Sequence, residues 1–477
     1  MQPRGGTNGV ATPPRGGPPR GALLSCLALA FLLSGCATYS DSFTPIQGAL
    51  ATQQYDVALK DIDKQAKDRK DHVLYLLNKG MVLRMKRDFA GSNQALEAAK
   101  QEMDRLYAAS VSENAMSFLI NDATVSYGGE DYEQVLVHLY MALNYLELGQ
   151  EDDARVEAQQ VDVTLRELSS KFMGSKYTRD AFSLYLSGMI YEDLGEWSDA
   201  MISYRQAYQA YKQYPASFAM PIPDTLKHDL LRLAQHEGLY NEAARYSKEF
   251  NLPLTADAPG TGAPAAGQLV FILNSGLAPI KREKVGTFLG PAPSTVTSGE
   301  VAAPVYVTIA LPYYESRPDS VTGFRVDAGG KLDTGEPVEN IDAIARASLD
   351  SHMAAITARS IARAVAKAEI QQAVDRAGAG GNRDSEAAAL IGSIAVRIAA
   401  IATEHADTRS WLTLPANIQM ARLTLPPGPY TIKVALLGAD GNVVSTREYP
   451  GVTISAGRRT YLTQHWTPPV VQSSGRR

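Results

Sequence analysis

One helical pattern repeats through the first half of the chain and constrains its fold more than any other feature. Between Phe43 and Phe250, apolar residues recur at spacings of three and four, the period of an amphipathic helix. In the clearest stretch, Leu184 to Pro215, Gly188 precedes a turn at Gly195 and a proline ends the second helix. Small residues follow the predicted turns at intervals of 34, 62, 46 and 43 residues: Ala58, Ser92, Ala154, Ala200 and Ala243. The pattern predicts a series of closely packed helix pairs.

This pattern resembles the tetratricopeptide repeat, a helix–turn–helix unit with a period of about 34 residues. Residues that carry the resemblance are Tyr55, Gly80, Phe89, Leu96, Ala99, Ala142, Tyr145, Gly149, Ala158, Tyr191, Trp197, Ala207, Gly238 and Tyr240. The longest interval leaves room for one more helix pair around Glu113 to Tyr127. The resemblance implies an α-solenoid over residues 36–253, and a generic helical bundle is the alternative.

A stack of such repeats forms a concave groove that holds a peptide or a partner helix. Tyr204, Tyr208 and Tyr211 lie at positions i, i+4 and i+7, on one face of a helix. They are the predicted partner-binding residues of the groove. The alternative is that they pack against the next repeat.

The N-terminal segment predicts export and a lipid anchor. Three arginines and no acidic residue precede the apolar run Ala22 to Leu33, a secretory-signal pattern too short to span a membrane. The sequence Leu33 to Cys36, LSGC, is similar to the lipobox of bacterial lipoproteins. That resemblance implies removal of residues 1–35 and attachment of acyl chains, such as palmitate, to Cys36. Because Ala37 rather than aspartate follows, it also implies the outer membrane, with the protein on its periplasmic side.

The number of cysteines and the net charge exclude several classes of function. The resemblance implies that Cys26 leaves with the signal peptide and that Cys36 is modified, so that no thiol would remain for a disulfide, a metal or nucleophilic catalysis. The formal net charge is −5 for the whole chain and −8 without the three arginines of the signal. An acidic chain argues against nucleic-acid binding, which depends on clustered lysine and arginine. The 442 mature residues suffice for two or three globular domains.

Composition and period both change after the helical half. Residues 254–268 are rich in proline, glycine and alanine and predict a linker. Leu269 to Leu273 and Val305 to Leu311 are β-branched and apolar runs typical of strands, and the charged Ala278 to Val285 is typical of a sheet edge. The fold class predicted is therefore α + β, with the α-solenoid followed by a mixed domain, residues 269–467, of antiparallel strands and long Ala-rich helices.

A long helix is predicted from Ile341 to Val374, opened by Pro337, Glu339 and Asp342. Within it, Arg359, Arg363 and Lys367 form a basic stripe at four-residue spacing. The stripe is either an anion contact, for a glycan-strand peptide or a lipid headgroup, or a solvated face.

Two segments follow the long helix. The glycine-rich Ala377 to Asp384 lacks the spacing of a phosphate-binding loop and is predicted to be a flexible connector. The apolar Ala387 to Ala402 contains Arg397 and has only sixteen residues. It is predicted to be a buried helix, with lipid contact as the alternative.

The C-terminal region combines a polar cluster with β structure. Asp407, Arg409 and Trp411 are predicted to form a structural cluster, in which the charged pair interacts locally and the indole packs between helix and sheet. Catalysis with His405 and Ser410 is the alternative. The segment from Pro426 predicts a turn, a hairpin at Gly438 to Gly441 and a final strand pair of a β-sandwich, with a disordered tail at 468–477.

The whole order of lipobox, helical repeats, strands, Ala-rich helices and the motifs ADTRSW and LPPGPYTIKV resembles a family of uncharacterised bacterial lipoproteins. The resemblance covers nearly the whole mature chain. It implies location and architecture rather than an activity.

Residues suited to chemistry are few. The seven histidines include no pair at the i, i+4 spacing of a helical zinc site, and no G-x-S-x-G elbow is present. No catalytic residue, metal site, cofactor or enzymatic activity is therefore predicted. The leading hypothesis is a lipid-anchored periplasmic scaffold that binds another envelope protein through its groove, with peptidoglycan as a further partner. The alternatives are an enzyme or regulator of cell-wall or polysaccharide metabolism and an accessory lipoprotein of an export apparatus.

Overall fold

The fold is taken from a computed structural model of the chain. The structure describes residues 39–112, 125–171, 177, 179–214, 220–254, 265–290, 305–378 and 405–469. Outside the described residues lie Cys36, residues 113–124 of the helix pair predicted around Glu113 to Tyr127, the loop after residue 378, the apolar Ala387 to Ala402 and the tail from residue 470.

The described N-terminal half is entirely helical outside its turns. Its helices are α1 (Tyr39–Ser42), α2 (Thr44–Ala51), α3 (Tyr55–Gln65), α4 (His72–Met85), α5 (Phe89–Ser112), α6 (Asp131–Glu147), α7 (Glu151–Lys171), α8 (Ala181–Asp193), α9 (Trp197–Gln213), α10 (Asp224–His236) and α11 (Tyr240–Phe250). From α2 onward they pack in pairs as helical hairpins: α2/α3, α4/α5, α6/α7, α8/α9 and α10/α11. This arrangement confirms the predicted tetratricopeptide-like repeats.

Each hairpin turns through one residue in the left-handed conformation. These residues are Gln53, Arg87, Gly149, Gly195 and Gly238, with φ of 56°, 69°, 70°, 75° and 71°. They are separated by the same 34, 62, 46 and 43 residues as the small residues that follow the turns. A left-handed residue allows the helix to stop and the chain to reverse, and glycine adopts it at least cost.

Small residues permit the close approach of helices within a hairpin. A Cβ atom on Gly188 of α8 would lie 2.4 Å from the ring of Tyr204 on α9, and one on Gly80 would lie 2.7 Å from Leu96. The small residues after the turns are all buried. The small residues in the sequence pattern therefore mark the positions where the two helices of a hairpin approach each other closely.

The described residues of the C-terminal half form three sheets and one long helix. Its elements are β1 (Gly267–Ser275), β2 (Ile280–Gly290), β3 (Val305–Glu315), β4 (Gly323–Ala328), β5 (Lys331–Thr334), β6 (Glu336–Asn340), α12 (Ile341–Gly378), β7 (Asn417–Leu425), β8 (Gly428–Leu437), β9 (Val443–Ile454) and β10 (Arg459–Trp466). The strand orders are β10-β1-β7-β6, β2-β3 and β5-β4-β8-β9.

Two expectations about this half are wrong. The strands are not all antiparallel, because β1 pairs in parallel with β10, the last strand. Pro337 and Glu339 do not open the long helix, because they belong to β6, which pairs with β7. Only Asp342 lies in the first turn of α12.

The sheet β10-β1-β7-β6 is covered on both faces. On one face, Leu269 and Phe271 of β1 pack against Phe324 and the rest of sheet β5-β4-β8-β9 to form a β-sandwich. On the other face, Val270 and Ile272 join the hydrophobic core of the helical repeats. Successive side chains of a strand point to opposite faces, so a strand covered on both sides is continuously apolar. This explains the run LVFIL, and it places the sheet directly against the repeats.

Candidate interaction site

The first helices of the hairpins form the side of the array that we call the inner face, and the second helices form the outer face. The inner face is filled by the chain's own C-terminal half. Strand β10 packs on α6, and β6 packs on α8. Trp411, Ile418, Met420 and Tyr461 share one core with these helices. The groove that was expected to hold a partner is therefore occupied by this protein itself.

The segment that contains the ADTRSW motif is bound to the repeats by its polar groups. Arg409 pairs with Asp407, with Nη2 2.7 Å from Oδ2, and also with Asp71 at the start of α4, 3.1 Å away. Trp411 is fully buried, and its ring meets that of Tyr140 edge-on at 6.2 Å. The backbone N–H of Trp411 donates to Glu133 Oε1 at 2.7 Å. The cluster thus holds two distant parts of the chain together.

The catalytic alternative at this cluster is not supported by the geometry. His405 Nδ1 lies 3.2 Å from Glu283 Oε1 on β2, while Ser410 is buried and its hydroxyl has no hydrogen-bond partner in the described part of the chain. Among the residues that the structure describes, no group of three or more His, Cys, Asp or Glu side chains is placed to hold a metal ion.

A buried ionic network connects the sheet to α8 and α10. Arg422 of β7 forms two hydrogen bonds with Asp229 of α10, one of them 3.1 Å long, and a third of 2.9 Å with Tyr185. Arg459 of β10 reaches Glu192 at 2.9 Å and Asp193 at 2.6 Å. All of these groups are almost excluded from solvent.

The pair of Asp229 and Arg422 keeps its charges despite burial. Burial opposes ionisation, but Arg422 beside it holds the pKa of Asp229 well below its usual value. Burial likewise opposes the charge of Arg422, yet Asp229 raises its pKa. Arg84 of α4 makes a further link, from Nη2 to Thr463 Oγ1 of β10 at 2.9 Å, and burial lowers its pKa to about 10. Paired buried charges fix one relative position of two elements, since any displacement leaves a charge unpaired.

Sequence reasoning did not find these residues, although one signal was present. Arg422 interrupts the apolar run of β7 opposite Val270 of β1 in the sheet register. Directly opposed residues point to the same face of a sheet. An arginine on that otherwise apolar face requires a buried carboxylate, and Glu192, Asp193 and Asp229 are candidates on helices.

The three tyrosines predicted to line the groove lie in the interior. Tyr204, Tyr208 and Tyr211 are each less than 5% exposed. Their hydroxyls donate to Glu192 Oε2 at 2.6 Å, to a Glu249 oxygen, and to the carbonyl of Val338 in β6 at 2.8 Å. The groove role is wrong for them in this conformation, because they pack against neighbouring helices and, for Tyr211, against the chain's own strand.

The basic residues of α12 do not share one environment. Arg359 is exposed, Arg363 is buried and donates to Ser360 Oγ at 3.3 Å, and Lys367 is half-buried. The helix packs on β3, where Ala364 meets Val307 and Ile309. The expectation of a uniformly solvated stripe is therefore wrong. An anion contact at these residues stays a prediction.

An open cleft lies on the outer face, between the second helices α7 and α9. Its volume is about 610 Å³. Leu165 of α7 and Leu184 of α8 give it an apolar floor, and Arg166, Arg179 and Arg205 line it. It is the best candidate site for another molecule in the described part of the repeat array.

None of the helices that the structure describes has the length and apolar character needed to cross a membrane.

Comparison with known proteins supplies no family assignment. Neither protein-family models nor curated proteins match the sequence. Among solved structures, the chain is similar to "Crystal structure of MamA", with 14% identity and a TM-score of 0.27 over 42% of this chain and 89% of the other. A second structure, "Crystal structure of MamA protein", has the same identity and TM-score over 46% and 97%. The repeat assignment rests on the turns and packing within this protein.

Proposed function

We propose that this protein is a lipid-anchored scaffold on the periplasmic side of the outer membrane, and that it binds another envelope protein through the outer face of its helical repeats. We choose the outer face as the binding surface because the inner face is filled by the C-terminal half of the chain. A partner at the inner face would have to displace β1, β7 and β10 together with their buried ion pairs. The cleft between α7 and α9 requires no such displacement.

The anchor is proposed from the N-terminal sequence. Burial of a methylene contributes about 0.8 kcal/mol, and one acyl chain gives only marginal membrane binding. Two or three chains on Cys36 would make attachment effectively permanent. Helix α1 begins at Tyr39, three residues after Cys36, so anchoring would hold the repeats close to the membrane surface.

We prefer a binding function to an enzymatic one because the polar clusters of the described residues form contacts within the protein itself. Arg409, Arg422 and Arg459 all join the C-terminal half to the repeats, and Asp407 pairs with Arg409. Cell-wall enzyme activity and a role in export remain alternatives from the sequence.

The test is photo-crosslinking in living cells of the source bacterium. A photoreactive residue replaces Gln209, which lines the cleft, or Leu332 of β5, which is 62% exposed and lies in the C-terminal half. We expect one envelope protein, identified by mass spectrometry, to crosslink at Gln209 and not at Leu332. Crosslinking at Leu332 alone would contradict the outer-face assignment.

The same cells test the anchor through Cys36→Ala. This variant should move from the membrane fraction to the soluble periplasmic fraction and lose most of its crosslinked product. Continued sedimentation with membranes would contradict lipidation at Cys36.

A further inference from the structure

The cleft between α7 and α9 combines an apolar floor with an excess of positive charge. Of its charged lining residues, Arg166, Arg179 and Arg205 are basic and Asp162 is acidic. Arg205 is held by Glu242, with Nε 3.0 Å from Oε1. The Arg166 side chain is 77% exposed, and its nearest approach to Asp162 is 3.9 Å. Arg166 and exposed Arg179 therefore retain capacity to bind an anion.

Gln206, which lines the cleft, carries a side-chain oxygen without a hydrogen-bond partner among the described residues. Oε1 of Gln206 is buried and has no hydrogen-bond partner in the part of the chain that the structure describes. A buried polar atom without a partner costs about 1–3 kcal/mol. Rotation of the half-buried Gln206 side chain toward the cleft would let a ligand N–H group remove that cost.

These features together match a peptide. Leu165 and Leu184 accommodate apolar side chains, the guanidinium groups of Arg166 and Arg179 attract carboxylates, and the amide of Gln206 can accept from a peptide N–H. A phosphatidylglycerol headgroup or a simple phosphate would satisfy the arginines but offers no N–H group.

We propose that the outer-face cleft binds an acidic, extended peptide segment of the partner protein. The inference rests on the proposed scaffold function and specifies the chemistry of its binding site. Guanidinium–carboxylate pairing at exposed positions adds specificity and speeds association, while the apolar floor contributes affinity.

The experiment uses the full chain, purified in detergent, and a fluorescein-labelled ten-residue peptide of alternating glutamate and leucine. Fluorescence anisotropy measures its Kd. The same peptide with glutamine at every glutamate position is the ligand control. We expect the glutamate peptide to bind about tenfold or more tightly than the glutamine peptide, and to weaken as salt increases.

Three variants assign the binding to the cleft. Arg166→Glu combined with Arg179→Glu should weaken binding about tenfold or more, since attraction becomes repulsion. Gln206→Leu should weaken binding about twofold to fivefold, through loss of one acceptor. Arg69→Glu changes an exposed arginine that does not line the cleft and should leave the Kd unchanged. Equal thermal midpoints of these exposed-arginine variants show that folding is intact.

Several outcomes would overturn the inference. Equal binding of the two peptides, or equal binding by the wild type and the double-arginine variant, excludes acidic-peptide recognition at this cleft. Binding of phosphatidylglycerol vesicles that depends on Arg166 and Arg179, without peptide binding, assigns the cleft to lipid. A partner that crosslinks at Gln209 through a non-acidic segment would overturn this inference and leave the scaffold proposal standing.

Discussion

At the scale of single residues, Glu133 of α6 is a buried carboxyl group that links the two halves. It accepts hydrogen bonds from the Tyr127 hydroxyl at 2.6 Å and from the backbone N–H groups of Trp411 and Glu130 at 2.7 and 3.1 Å. Burial, followed by the charge of Glu130, nevertheless raises its pKa to about 7. Desolvation therefore outweighs three hydrogen bonds that favour the charged form.

The Glu133→Gln variant should reveal this cost as a pH dependence. Because the folded-state pKa lies above the ordinary value of 4.5, the stability contributed by the proton is complete below about pH 4.5 and is lost as pH rises through about 7. Glutamine does not titrate, so it removes this pH dependence, while its NH2 group faces an N–H donor and lowers stability equally at every pH. We expect the stability of the variant relative to wild type to rise by roughly 1–3 kcal/mol from pH 5 to pH 8, measured by urea unfolding.

The control for this measurement is Glu448→Gln on β9, whose side chain is 61% exposed. It should shift stability by no more than a few tenths of a kcal/mol at either pH. A parallel pH profile for Glu133→Gln and wild type would contradict ionisation of Glu133 in the folded protein.

At the scale of elements, strands β7 and β10 act as the ionic contact between sheet and repeats. Each carries one arginine, Arg422 or Arg459, into the inner face, where helices α8 and α10 supply the carboxylates. Buried pairs of this kind contribute little net stability compared with apolar packing, but breaking one is costly because its partner stays charged and buried.

Arg422→Ala should therefore destabilise the protein by about 3–5 kcal/mol, since it removes the principal partner of Asp229. Combining Arg422→Met with Asp229→Asn should cost clearly less than the single alanine change, because no uncompensated charge remains. Urea unfolding measures both.

The matched control is Lys433→Ala, which breaks the exposed pair of Lys433 and Glu448 on β8 and β9. Exposed pairs contribute about 0–1 kcal/mol. If Arg422→Ala cost no more than this control, the ionic contact would have no structural role.

At the scale of the whole molecule, the repeats and the C-terminal half share one hydrophobic core. Val270 and Ile272 of β1 belong to the same cluster as Tyr140 and Tyr185 of the repeats. Separating the halves would expose this apolar face of the sheet and the buried charges opposite it. Large exposed apolar patches favour association, so neither half is expected to be stable alone.

Two fragments test this dependence. Residues 37–260 and 261–477, expressed separately, should unfold without cooperativity or aggregate, whereas their co-expression should yield a complex that co-purifies through a tag on one fragment. Arg422→Glu together with Arg459→Glu should abolish co-purification. Cooperative unfolding of each fragment alone, with no complex, would show that the halves are independent domains and would reopen the inner face to partners.

Local sequence was informative about the elements. The interval between small residues identified the hairpin turns. A left-handed turn favours glycine at one position, as at Gly195, and a close contact between helices requires a small residue at another, as at Gly188. The apolar run of β1 and the hairpin at Gly438 to Gly441 were visible for the same reason. The placement of Pro337 and Glu339 in β6 was missed, because pairing with β7 overrode their preference for a helix start.

Sequence alone determined that the chain contains helical pairs followed by strands, since periodicity and turn chemistry act over a few residues. Only the tertiary structure decided what covers each buried face. The spacing of the α9 tyrosines is the same for a buried helix face and for a groove-lining one, so it could not distinguish the two. The arginines of β7 and β10 form their ion pairs with carboxylates about 190 to 270 residues away in the chain. A sequence pattern predicts that a side chain is buried. Which residues bury it depends on contacts between distant segments of the chain.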